Sequence, residues 1–359
     1  GDDGVAAEPD AAPATAGGNE LTCVIPIELR IRIGAPGAVA TPVAALVGAG
    51  TTTPAVGVRT GLGIAANEKI EIDPNYSNRR GYSVSFLGTS TRVPLPTLSA
   101  GLLQDVARLK SPGSGSDGIT LRYHHYSVVV NGARRMAFFT AVNIDGRKIV
   151  QFDKREGDKW TIDPRIEETE QTGEDLYADN ELDRGHLVRR LDPGWGSSFA
   201  IGKRAVDDTF HFTNCAPQHS GFQRRGKVWQ GLENYILDNA DNADLKVSVF
   251  TGPRFRDQDR RYRGYRIPRE YWKVVVMRRK NGQLHATAYL LSQSSQIADL
   301  PEEEFIFGAY RTFQKSIASI EQATGLDFGP LRQHDPLHSD SPEEAAAAVE
   351  LNSLDDIVM

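Results

Sequence analysis

A chain of 359 residues with 40% hydrophobic and 25% charged residues has the texture of a globular protein, not a fibrous or wholly disordered one. Its two cysteines, Cys23 and Cys215, exclude a disulfide framework and a four-thiolate zinc site. The net charge of −6 is unevenly spread: Arg184 to Lys280 holds 20 Lys/Arg against 10 Asp/Glu, a local +10 that leaves −16 for the remainder, and phosphate binding follows the local field.

Residues 1–20 carry five acids and no bases among Ala, Pro and Gly, and predict a disordered acidic tail. In residues 21–66 a strand at 21–33, with Ile27, Leu29, Ile31 and Ile33 on one face, precedes a Gly/Ala/Thr/Pro-rich linker whose only charge is Arg59. The main domain is expected at 67–333. Within it RVPLPTL reads as extended because each proline biases its predecessor away from helix, and 101–110 reads as a short helix. YSVVV at 126–130 and RRMAFFTAVNI at 134–144 flank Asn131-Gly132, a two-residue hairpin signal. Further strands are expected at 209–213, 245–251, 272–278 and 284–291. Helices are expected at 227–240 and at 306–323, the latter through Tyr310, Phe313, Ile317 and Ile320. Residues 334–359, with seven acids and no Lys or Arg, predict an acidic tail holding a short Ala-rich helix at 342–351. Hairpin-ordered strands with scattered helices predict an α+β fold, its mixed or antiparallel central sheet flanked by helices. No apolar run approaches the roughly twenty residues needed to span a bilayer, so no membrane partner is expected. No secretory signal peptide is visible, and the compartment stays open.

The chemistry concentrates in DNELDRGHLVRRLDPGW, followed by TNCAPQ at 213–218 and WQGLENYIL at 229–237. Hydrolysing a phosphodiester needs an activated water, charge neutralisation at phosphorus and help for the leaving oxygen. His186 titrates near neutrality and suits a general base. Arg184 offers a fork that matches phosphate oxygens, its other reading being a partner for Asp183, and Gly185 permits close backbone approach. Val228, Trp229, Leu232, Tyr235 and Ile236 make one face of the helix, with Glu233 at its edge, either turned to a cleft or a surface carboxylate. Asn214 is read as positioning the phosphate or His186. Arg189-Arg190, Arg224-Arg225 and the run RFRDQDRRYRGYR at 254–266 supply phosphate contacts, with Phe255, Tyr262 and Tyr265 available to stack on bases. The run is otherwise an exposed loop balanced by Asp257 and Asp259. Arg134-Arg135 are weaker candidates for the same contact, and His211 and His219 are read as structural.

Asp183-Arg184-Gly185-His186, the spaced Asn214 and the Glu233 helix together resemble the DNA/RNA non-specific endonucleases of the ββα-metal type, over about 119–333 well and 68–118 loosely. The resemblance implies a ββα-metal motif and a metal-dependent phosphodiesterase. His186 would deprotonate water, Arg184 would meet the scissile phosphate, and Glu233 would hold waters on a single Mg²⁺ or Mn²⁺. The family's direct ligand is an Asn after a Phe, nine residues beyond the first Asn; Phe222-Gln223 stands there. Gln keeps a carbonyl oxygen for a hard cation and moves it by roughly 1.5 Å. The implied function is cleavage of DNA and RNA through backbone contacts. A nucleic-acid-binding protein with the nuclease fold, attenuated by Gln223, is the alternative. A homodimer and an unidentified regulatory partner are both compatible with the chain.

Overall fold

The apolar runs of this chain are short and rich in Val, Phe and Tyr, and they form strands. A computed structural model describes residues 69–152, 159–180, 182–219, 246–279, 281–293, 310–339, 341, 348–351 and 357–358, all within the unit Arg59–Met359. In chain order the strands are β1 (Thr97–Leu98), β2 (Thr120–Arg122), β3 (Tyr126–Asn131), β4 (Met136–Asp145), β5 (Leu182–His186), β6 (Cys215–His219) and β7 (Lys246–Arg254). They continue with β8 (Arg260–Tyr262), β9 (Tyr265–Ile267), β10 (Glu270–Arg278), β11 (Leu284–Gln293), β12 (Tyr310–Lys315), β13 (Leu326–Asp327) and β14 (Ala348–Leu351). The helices described are α1 (Glu174–Tyr177), α2 (Phe199–Asp208) and α3 (Ile317–Thr324).

Eight strands make the central sheet in the order β14-β12-β11-β10-β7-β4-β3-β2. Every pair in it is antiparallel, which settles the choice between mixed and antiparallel and gives the α+β class its frame. Every residue of β3 and β4 is buried, so these strands are covered on both faces. On one face Val128, Val130, Val142 and Ile144 pack with Leu187, Val188 and Ala216. On the other, Val129, Phe138, Trp272 and Val274 pack with Ile317, Ile320 and Leu331. Gly252 answers to that second face, because a Cβ there would stand 2.8 Å from the Trp272 indole and 2.5 Å from the Phe138 carbonyl oxygen. The first face carries β5 and β6, a separate antiparallel pair.

Several expected elements take a different form. Asn131 pairs with Met136, so the hairpin loop is the four residues Gly132–Arg135, with the Asn131 side chain accepting from the Arg134 amide at 2.8 Å and Arg135 at φ 58°. The helix expected at 101–110 shrinks to a 3-10 turn, Leu102–Gln104, because the chain then runs along β3: Gly132 donates to the Asp105 carbonyl and Ala107 to the Val130 carbonyl. No strand covers 209–213. Thr209 ends α2 with its hydroxyl on the Val206 carbonyl at 2.6 Å, and Phe212–Asn214 is a 3-10 turn. In place of one helix at 306–323 stand β12, its Gln314 side chain bonded in both directions to the Val358 backbone, and α3, which starts only where Ser316 caps the Ser319 amide. β14 occupies part of the expected Ala-rich helix at 342–351, pairing with β12 at the sheet edge. The strand expected at 21–33, the linker to 66 and the helix at 227–240 lie outside the described residues.

Candidate active site

β5 is the DRGH sequence itself, and the register His186–Cys215, Gly185–Ala216, Arg184–Pro217, Asp183–Gln218 sets it against β6. The Gln218 side chain lies across Gly185: a Cβ there would stand 2.1 Å from its Cδ, so any larger residue has to displace that side chain. The backbone ladder continues one step past His186, where Leu187 donates to the Asn214 carbonyl. Beyond that the Asn214 side chain takes over. Its Oδ1 accepts from the Val188 amide at 2.9 Å, while its Nδ2 donates to the Val188 and Thr209 carbonyls, each at 3.0 Å. Asn214 is fully buried, and all three of these bonds go to the backbone of Val188 and Thr209.

The imidazole of His186 sits against the Trp160 ring, centroids 4.7 Å apart, and edge-on to Phe210 at 5.0 Å. Trp160 is itself held by Phe210 and Phe212. Thr161 donates to the Phe210 carbonyl and accepts from the Phe212 amide, which locks that aromatic wall to the segment before the 3-10 turn. Two flat walls leave the imidazole few rotamers, so its orientation is set by packing.

Beneath the wall lies a buried ionic network. Asp208 takes two N–H groups of Arg79, at 2.7 and 2.9 Å, and both the amide and Nδ1 of His124. Burial alone would raise the Asp208 carboxyl, but the His124 and Arg79 hydrogen bonds outweigh it and pull it down to about 2. Asp163 is likewise buried, yet Arg165 and Tyr123 hold it below the usual carboxylate range. Tyr123 donates to Asp163 at 2.5 Å, so the Thr213 hydroxyl, 2.6 Å away, is the donor to Tyr123. His211 donates from Nδ1 to the Asp208 carbonyl, leaving Nε2 to accept from the Tyr76 hydroxyl. Burial depresses its pKa and keeps it neutral, the structural role expected of it. Residues 208, 211 and 213 thus pin the turn that carries Asn214.

Arg184 pairs with Glu174 of α1 and lies 5.3 Å over the Tyr177 ring. Glu174 is 62% exposed, so this bridge is weak. Arg189 and Arg190 follow in the turn after β5, where the Asp192 amide donates to the Arg189 carbonyl. His186, Arg184, Asn214, Arg189 and Arg190 therefore belong to one unit. Arg135 does not: it sits on the β3–β4 loop over Tyr265, 5.0 Å away. Tyr265 is 4% exposed, which removes it from the residues free to stack on bases, and Phe255 packs under Arg134 and against Phe138. Asp259 does balance a cation, but it is Arg134, drawn also to the Arg256 carbonyl. Gln223, Arg224, Arg225 and Glu233 lie outside the described residues. Among the described residues no three His, Cys, Asp or Glu side chains converge as a metal site would. Sequence reading passed over Trp160, Gln218, Glu174 and the Asp163 and Asp208 networks; the paired Asp207-Asp208 just before HFTN was the available signal.

Compared with known proteins, residues 104–334 match the family described as DNA/RNA non-specific endonuclease. A Sinorhizobium fredii protein, y4fB, is 43% identical over 266 residues, covering 70% of this chain and 39% of that one. Human mitochondrial endonuclease G is 28% identical over 166 residues, 43% of this chain and 50% of its own. The nuclease of Serratia marcescens is 24% identical over 223 residues, 60% of this chain and 76% of its own. The chain thus spans half or less of the length of the first two relatives.

Proposed function

This chain belongs to the DNA/RNA non-specific endonuclease family, and on that premise we propose that it hydrolyses phosphodiester bonds within DNA and RNA, with His186 as the general base. The observation that carries the reading is the placement of His186: it ends β5 at the last rung before the Asn214 clamp, its ring held by Trp160 and Phe210. The imidazole takes a proton from water as the water oxygen bonds to phosphorus. The bond from phosphorus to the leaving oxygen breaks, and that oxygen collects a proton. Arg184, released from Glu174, neutralises charge on the phosphate. Asn214 acts on the reaction only through the backbone that carries His186. Arg189, Arg190, Arg224 and Arg225 meet the sugar–phosphate backbone, which carries no sequence information and gives broad specificity.

A divalent cation, Mg²⁺ or Mn²⁺, belongs to the proposal, with Gln223 as its protein ligand and Glu233 on its waters; it supplies charge neutralisation at the phosphate. The amide oxygen of Gln223 is a hard donor suited to such an ion. Its extra methylene supports a second reading, a nucleic-acid-binding chain of weak turnover. Plasmid nicking with Mg²⁺, with Mn²⁺ and with EDTA separates the two. In the same assay Gln223→Asn is expected to lower the metal concentration required and Gln223→Ala to abolish metal-dependent cutting. If both changes are neutral, Gln223 is not the ligand.

A further inference from the structure

The β3–β4 loop and the β8–β9 hairpin line a cavity of about 580 Å³, within the range of pockets that hold small organic ligands. None of residues 182–190 or 214–219 lines it. Its wall takes Phe138 and Leu326 from the core on the opposite face of the sheet from Leu187 and Val188, and Tyr265 from the cluster that also holds Leu182 and Cys215.

Five arginines line it, Arg134, Arg135, Arg256, Arg261 and Arg266, against Asp105 and Asp257. Asp259 neutralises Arg134 and Glu270 neutralises Arg256. Asp257 reaches Arg266 only at 4.0 Å and is wholly exposed. Arg135 and Arg261 have no acidic partner among the described residues, so the cavity keeps an excess of positive charge. Nε of Arg134 and Nε of Arg256 are buried without an acceptor, and buried guanidinium donors ordinarily have one. The same wall presents Phe255, which carries the Arg134 guanidinium on one face at 4.5 Å. Guanidinium forks for a phosphate beside an aromatic and apolar wall for a ring are the two halves of nucleotide recognition.

We propose that this arginine-lined cavity is a second, non-catalytic site for a nucleotide, with the phosphate on Arg261 and Arg266 and the base against the Phe255 wall. The choice of ligand rests on the nucleic-acid reading above. The nucleotide is either free or a unit of a bound strand.

Calorimetric titration of the full chain in EDTA tests this, with 5′-AMP, inorganic phosphate and a six-nucleotide phosphorothioate strand as probes. AMP is expected to bind at least tenfold more tightly than phosphate, and to bind His186→Ala within twofold of the parent. Arg261→Glu, a change at an exposed residue, is expected to weaken AMP at least tenfold, and Thr324→Trp, which fills the cavity, to do the same. Loss of strand binding in Arg261→Glu identifies the nucleotide as part of a strand; loss of AMP binding alone identifies it as free. Both outcomes carry the proposal. It is overturned if AMP does not bind, if phosphate binds equally well, if His186→Ala abolishes AMP binding, or if both cavity variants bind AMP like the parent. A chain that binds AMP here yet never nicks a plasmid loses the proposed activity and keeps this site.

Discussion

Behind His186 charge is buried and saturated; along the β8–β9 edge it is half-exposed and in excess. Asp208 and Arg79 are almost wholly inaccessible, and the carboxylate also answers two donors of His124. Arg261 and Arg266 face a cavity where, among the described residues, the exposed Asp257 stands in loose reach of Arg266. The first arrangement fixes geometry, because no member can leave without stranding a charge in the interior. The second leaves cations able to change partners. The activity proposed above would draw on both kinds of region: rigidity where one proton moves, and tolerance where a variable backbone is gripped.

The contrast breaks first at the base. His186→Ala is expected to lower plasmid cleavage by about 10²–10⁴-fold while thermal unfolding stays near the parent's, and equal cutting by the variant would reassign the base. Next is Asp208→Asn, which leaves Arg79 buried without a counter-charge. About 3–5 kcal/mol of stability is expected to go, read as a lower denaturant midpoint; an unchanged midpoint would mean the network is ornamental. A smaller effect comes from acid. The Asp208 carboxyl is depressed in the fold, so its contribution is present above the unfolded pKa near 4 and is lost as pH falls through about 2. That contribution is about 2 kcal/mol, and Asp208→Asn should flatten the corresponding segment of the stability–pH curve. Smallest is Glu174→Gln, at an exposed bridge: stability should move by less than about 1 kcal/mol while nucleic-acid affinity rises because Arg184 is freed. Weaker affinity would show that the bridge orients Arg184 instead of restraining it.

The strands with continuous apolar runs were legible in the sequence, since 126–130, 272–278 and 284–291 fall within β3, β10 and β11, and 245–251 overlaps β7 from Lys246 onward. What misled was local pattern overruled by distant partners. Tyr310 to Ile320 has a helical spacing, yet Gln314 is claimed by Val358 and Ser316 by the first turn of α3. The Phe210–Thr213 alternation reads as a strand, yet His211 bonds back to Asp208 and ends it. At the candidate site, Arg184 and His186 share one four-residue strand motif and Asn214 follows at a fixed spacing, so all three could be picked out from the sequence. Trp160 and Arg79 were passed over because their contacts exist only after folding, Trp160 reaching His186 across 26 residues of chain and Arg79 reaching Asp208 across 129.

The Asn214 side chain has a consequence for how freely this segment can vary. It stands in for a stretch of backbone, accepting once and donating twice within a space closed to water. Aspartate keeps the acceptor but strands two carbonyls beside a buried charge; leucine fills the volume and strands all three groups; glutamine cannot fit its longer chain without moving the turn. Position 214 therefore has essentially one permitted occupant. The valines and phenylalanines of the sheet, by contrast, exchange with their neighbours at modest expense. In a library of random variants position 214 should stand out, with Asp208, as a point of intolerance visible by folding alone and without any assay for cleavage.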